Sequence, residues 1–246
     1  MSKIAISGKG GVGKTTITAL LIRSLIEKKK TPILVVDADP NSNLYLNLGA
    51  TFTKTVADLR DDVLESTPEG FSKTDYFNLR LQEIISENNG FDLLVMGRPE
   101  GPGCYCSVNN LLREYLSKLA KSYPFVIVDC EAGLEHLSRR TSDNLDTLIL
   151  VTEPTISSLY AVRASLEIAR KIKLKIKDMY LLLNKIKYNE NEKIKKEIEK
   201  LRIPLLAEVP FKEELLLASE EAKNLLEIKI PPDLKEIFEK VLERIT

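Results

Sequence analysis

The residues Gly8-Lys9-Gly10-Gly11-Val12-Gly13-Lys14-Thr15-Thr16 combine glycine, lysine and hydroxyl side chains in the spacing G-x-x-x-x-G-K-T. That spacing is a phosphate-binding P-loop. Glycines let the backbone turn with its N–H groups inward, where side chains would block a phosphate. A helix starting at the loop adds the positive end of its dipole. Lys14 can then reach the β- and γ-phosphates of ATP, and the Thr15 hydroxyl can ligate Mg²⁺.

Acids stand where that chemistry needs them. The apolar run Pro32-Ile33-Leu34-Val35-Val36 empties into Asp37-Ala38-Asp39-Pro40-Asn41-Ser42-Asn43. Such a run reads as a buried parallel strand, and two acids at its carboxyl end lie where open α/β sheets bind ligands. Phe125-Val126-Ile127-Val128-Asp129 reads as a second strand of this kind, a Walker B strand with Asp129 holding Mg²⁺ through water. Cys104 and Cys106 sit in a Pro- and Gly-rich loop after the strand 91–96. A disulfide between thiols one residue apart is strained. On residue types alone the pair is either inert or half of a tetrahedral metal site that a two-fold partner would complete.

Alternating apolar runs and helical patterns position these groups. Strands are expected at 3–7, 32–36, 91–96, 125–129, 146–151, 179–183 and 205–209, and helices at about 15–28 and 109–121. The expected fold is a doubly wound α/β sandwich, a mostly parallel sheet of seven or eight strands with helices on both faces. One P-loop ATPase domain accounts for residues 1–246. Residues 50–90 read as short helical pieces covering the sheet, and Lys185 to Lys200 as a solvated Lys/Glu face. The stripe Leu234, Ile237, Phe238, Val241, Leu242 and Ile245 predicts a final helix packed on the body. Its polar face mixes acids and bases, unlike a membrane-surface helix.

Lys+Arg and Asp+Glu each number 36, so no basic footprint argues for nucleic acid. No apolar run approaches the roughly 20 residues that span a bilayer. Met1-Ser2-Lys3 runs straight into a strand, and the chain has only three cysteines. The expectation is a cytoplasmic protein without a signal peptide, in a reducing compartment.

Lys9 makes the loop K-G-G-x-G-K-T-T. It thereby resembles the deviant Walker A class of SIMIBI P-loop NTPases, which includes MinD, ParA, the nitrogenase iron protein and metal-insertion ATPases. The resemblance implies a homodimer in which Lys9 crosses to the partner's nucleotide. It also makes Asp39 the water-activating acid, Asp37 a supporting acid near Mg²⁺, and Asn184, Pro210 and Phe211 neighbours of the adenine. Met96-Gly97-Arg98-Pro99-Glu100-Gly101-Pro102-Gly103-Cys104-Tyr105-Cys106, with Glu131 to Thr141, further resembles carbon monoxide dehydrogenase accessory ATPases of the CooC type. That family implies nickel or zinc shared by the Cys104 and Cys106 pairs of two subunits. It implies a client too, carbon monoxide dehydrogenase or a related nickel enzyme. A MinD/ParA-type switch without metal, and an iron–sulfur reductase, are the alternatives. Against the reductase, His136 stands where its second cluster cysteine would fall, and Cys130 reads as a small buried residue. His136 itself reads as a structural or switch residue.

Overall fold

Short runs of Val, Ile and Leu become strands here because both of their faces are covered. The computed structural model describes residues 1–98, 119–131, 144–171, 175–187 and 191–246. Strand Ser2–Gly8 (β1) leads through the P-loop into helix Lys14–Glu27 (α1) and strand Ile33–Ala38 (β2). Helices Leu44–Leu48 (α2), Val56–Glu65 (α3) and Lys73–Leu81 (α4) follow, then strands Ser86–Asn88 (β3) and Phe91–Val95 (β4). After strands Phe125–Cys130 (β5) and Asn144–Thr152 (β6) come helix Ile156–Lys171 (α5) and strand Lys175–Ile186 (β7). Helix Glu192–Leu201 (α6), strand Leu205–Pro210 (β8) and helices Glu213–Glu220 (α7) and Pro232–Ile245 (α8) complete the described order.

The strands form one eight-stranded sheet in the order β3-β4-β2-β5-β1-β6-β7-β8. All pairs are parallel except the hairpin of β3 on β4. Period-two alternation divides each central strand between two cores. Ile4 and Ile6 join α1, α2 and α8 on one face, while Ala5 joins α3, α4 and α5 on the other. The P-loop leaves β1 between β5 and β6, in the crevice outside the carboxyl ends of the strands. This is the doubly wound, mostly parallel fold that the sequence predicts.

Several elements differ from expectation. Strand β7 begins four residues early because its first half pairs only with β6. Strand β8 joins it from Leu181 onward, so Lys175, Lys177 and Asp178 occupy a half-exposed edge and mask the strand pattern. β3 is a polar edge strand of three residues, too short for periodicity to register. Helix α7 buries only Ala218 and leaves Leu216 and Leu217 exposed, so it lacks a clean stripe. The final helix does match: Leu234, Phe238, Val241, Leu242 and Ile245 are buried, in the same core as α1. Among the described residues no helix is long and apolar enough to cross a membrane.

Candidate functional site

The P-loop turns as the glycine spacing requires. Gly13 caps α1 in the left-handed region at φ 89°, and a Cβ there would lie 2.5 Å from Asn184 Nδ2. Lys14 is 7% exposed and its Nζ donates to the Lys9 carbonyl at 3.4 Å, curled over its own loop. Behind the loop, the Thr18 hydroxyl lies 2.9 Å from Lys14 O and 3.1 Å from Asp129 Oδ1. Its single proton serves one of them at a time.

Asp129 and Asp37 are paired in register on β5 and β2, and both are buried. Burial, and then the Asp129 charge, push the Asp37 carboxyl up to about 7, against the pull of two backbone N–H donors. Those donors are Asp39 N, 3.2 Å from Oδ1, and Leu44 N, 3.1 Å from Oδ2. Asp37 therefore also shapes the turn that carries Asp39. Asp129 is raised to about 6 by burial, while the Thr15 hydroxyl, Lys14 and Thr18 act to lower it. Its Oδ2 is buried and makes no hydrogen bond of ordinary geometry among the described residues. An orphaned carboxylate oxygen near a P-loop hydroxyl fits a hard divalent cation that keeps several waters. The donor set of Asp129 and Thr15 fits Mg²⁺.

The loop opens on a cleft of about 570 Å³, within the usual range for small-molecule sites. Gly10, Gly11, Gly13, Lys14, Thr15 and Thr16 line it, together with Asp39. Asp39 Oδ1 accepts from the backbone and side-chain nitrogens of Asn41, at 2.9 and 3.0 Å. Pro210, Phe211, Leu215 and Leu216 add apolar lining, and Asn184 and Lys185 line the cleft too. Lys187 Nζ sits 4.1 Å from the centre of the Phe211 ring. A charged tail and a flat base are the two halves of a ligand that such a cleft fits. Residues far apart in sequence, at 10–16, 39, 184 and 210–211, meet here.

Asn184 does more than line the cleft: its Nδ2 donates to Val12 O at 2.8 Å. Sequence reasoning missed Lys185, which it placed at the start of a solvated run. Lys185 Nζ donates to Gly11 O at 2.6 Å and to Glu153 Oε1 at 2.8 Å. Its position directly after a strand-end asparagine was the one available signal. Gly8 and Val12 are buried, whereas Lys9 is exposed and lies outside the lining of its own cleft. Cys130, the last residue of β5, is buried in the core shared with α3, α4 and α5, and burial raises its thiol well above the ordinary range. Cys104, Cys106 and His136 lie outside the described residues. The strand leading toward the cysteine loop is fixed: Met96 N donates to Asp37 O at 2.9 Å, and Met96 O accepts from Ala57 N at 3.1 Å.

The model of the CobQ/CobB/MinD/ParA nucleotide binding domain family matches residues 3–225. The chain belongs to this family. An uncharacterized ATP-binding protein of Methanocaldococcus jannaschii is 44% identical over 98% of this chain and 95% of its own. The carbon monoxide dehydrogenase accessory protein CooC of Rhodospirillum rubrum is 33% identical, over 70% of this chain and 71% of its own. Among solved structures, MinD of Pyrococcus horikoshii complexed with Mg-ADP is 25% identical, with a TM-score of 0.71 over 99% of this chain and 95% of that one. A CobQ/MinD/ParA-type domain binds nucleotide, and the protein is an ATPase.

Proposed function

We propose that this ATPase is a metallochaperone that assists nickel insertion into carbon monoxide dehydrogenase or a related nickel enzyme. The likeness to CooC carries the reading, beside the resemblance of the motif around Cys104 and Cys106 to accessory ATPases of that type. Geometry at the strand ends adds support. The strand leading toward the cysteine loop is hydrogen-bonded at Met96 to Asp37, the residue that shapes the turn bearing Asp39. A change in that turn has a short path to the cysteine loop.

In the proposed cycle, ATP lies with its phosphates on the N–H groups of residues 10–16 and its adenine near Asn184, Pro210 and Phe211. Mg²⁺, held by Thr15 and Asp129, would supply charge neutralisation at the transferring phosphate. Lys14 binds the phosphates, Asp39 orients and polarises the attacking water, and Lys9 of each subunit serves the partner's site. Closure of a homodimer brings two Cys104/Cys106 pairs onto one nickel or zinc ion, with four thiolates completing a tetrahedron. Opening after hydrolysis releases the ion to the client.

The test combines mass and metal content. The protein is mixed with Ni²⁺ or Zn²⁺, with and without ATP, and passed through sizing chromatography with elemental analysis, beside Cys104→Ala and Cys106→Ala. One metal per dimer, lost in both variants, is the expected result. ATP-driven dimers without stoichiometric metal, unchanged in the variants, would instead favour the second reading. That reading is a MinD-type switch organising a surface or partner, and the full-length likeness to MinD is the observation behind it.

A further inference from the structure

We propose that Lys185, anchored by Glu153, is a positioning residue that holds the P-loop in its phosphate-binding shape. Successive side chains of a regular strand point to opposite faces. At the end of β7 this alternation breaks. The pairing with β8 shifts register between Leu183 and Ile186, and Lys185 has φ 58°, a left-handed conformation uncommon for a lysine. The result is that Asn184 and Lys185 both reach the P-loop, and they take adjacent carbonyls: Val12 O and Gly11 O.

In a trans peptide the C=O and the next N–H point in opposite directions. Pinning the Gly11 carbonyl therefore fixes the Val12 N–H, and pinning the Val12 carbonyl fixes the Gly13 N–H. Both N–H groups belong to the loop that must face a phosphate. Glu153, just past the end of β6, accepts from the same ammonium and balances its charge. Lys185 is thus held as a brace on the loop and is not a free cation for ATP. The side chains of Lys185 and Glu153 are 40% and 31% exposed, so the ion pair itself adds little to folding. Its effect belongs in ligand affinity.

The proposal rests on the nucleotide site described above. The experiment measures Mg·ATP affinity by titration calorimetry, and Tm, for the whole protein and its variants. Lys185→Met is expected to weaken ATP binding about tenfold, the scale of one hydrogen bond to a charged group. KM for ATP should rise by a similar factor with a smaller change in kcat, and Lys185→Arg should recover most of the affinity. Lys185→Gly separates binding from folding. Glycine suits the left-handed backbone, so Tm should hold or rise while affinity still falls about tenfold. Glu153→Gln should weaken binding in the parent and do nothing further beside Lys185→Met. Lys14→Ala is the control and should abolish binding. ATP affinities within twofold of the parent in both Lys185→Met and Lys185→Gly, with the control dead, would overturn the brace alone. Additive effects of Glu153→Gln and Lys185→Met would also overturn it. Parental binding by Lys14→Ala would sink the P-loop reading itself.

Discussion

Asp37 and Asp129 are two carboxyls forced close together out of water, and that fixes the sign of a pH effect. In the folded protein without ligand they titrate at about 7 and about 6, against about 4 for a free carboxyl. Between these values the folded state binds more protons than the unfolded one, so stability falls as pH rises. Scanning calorimetry of the ligand-free protein should show Tm dropping by several degrees from pH 5 to pH 8, at roughly 2–4 °C per kcal/mol for a chain of this size. The lowered carboxyls Glu27, Glu197 and Asp233 work below this window and do not reverse the slope within it. Mg·ADP should remove most of the slope, because a divalent cation favours both ionised forms. A flat or rising apo profile would contradict this. Gly13 carries a second expectation at the same scale. With φ 89° and Asn184 Nδ2 2.5 Å from any Cβ, Gly13→Ala incurs roughly 1–2 kcal/mol of backbone cost. It also pushes Asn184 off Val12 O. ATP affinity should drop more than tenfold, and Asn184→Ala in the same chain should add less than it does alone, since the clash is then relieved.

At the scale of elements, α8 shows what patterning reveals and α7 what it hides. The α8 stripe is regular because one face meets α1, and Phe238 is buried at its middle. Phe238→Ala should cost about 3–5 kcal/mol in urea unfolding. Removing the surface partner of Lys28 with Glu239→Gln should cost under about 1 kcal/mol. The buried strands, the P-loop, Asp37 and Asp129 were legible because burial on two faces and phosphate chemistry both restrict residue type, while Asn184, Pro210 and Phe211, which line the cleft, came from the resemblance alone. Lys185 was not legible, because nothing in an N-K-I-K run discloses a left-handed backbone or a register shift against β8. The first half of β7 was hidden by its partial edge position, and the double duty of Asp37 by hydrogen bonds to amides, which any residue supplies. Gly97 shows a similar limit. Its φ is 69° and a Cβ would collide with Thr55, the residue that caps α3. Sequence marked it only as part of a Gly-rich loop, yet it determines how closely α3 packs against the end of β4.

At the scale of the molecule the open question is whether one chain suffices for hydrolysis. Lys9 gives its carbonyl to Lys14, and its exposed side chain is not part of the cleft lining. On the proposed cycle its ammonium acts only at a partner's nucleotide. Lys9→Ala should then bind ATP normally and hydrolyse it at least a hundredfold more slowly, short of the 10³–10⁵ effect of an arginine finger because an ammonium is a single point charge. On the same cycle Asp39→Asn should also bind ATP without hydrolysing it, because it loses the acid proposed to polarise water. Neither variant alone is active, but a mixture has an arithmetic of its own. Random pairing makes about half the dimers mixed, and each mixed dimer holds one complete site: the Lys9→Ala chain supplies Asp39 and its partner supplies Lys9. The mixture should recover about a quarter of parental activity. A lysine acting within its own chain predicts no recovery at all, since every chain would lack either the lysine or the acid. If the mixture stays inactive while both variants bind ATP and form dimers, Lys9 does not work in trans. Metal capture by paired cysteines would then need a cause of closure other than the exchange of lysines.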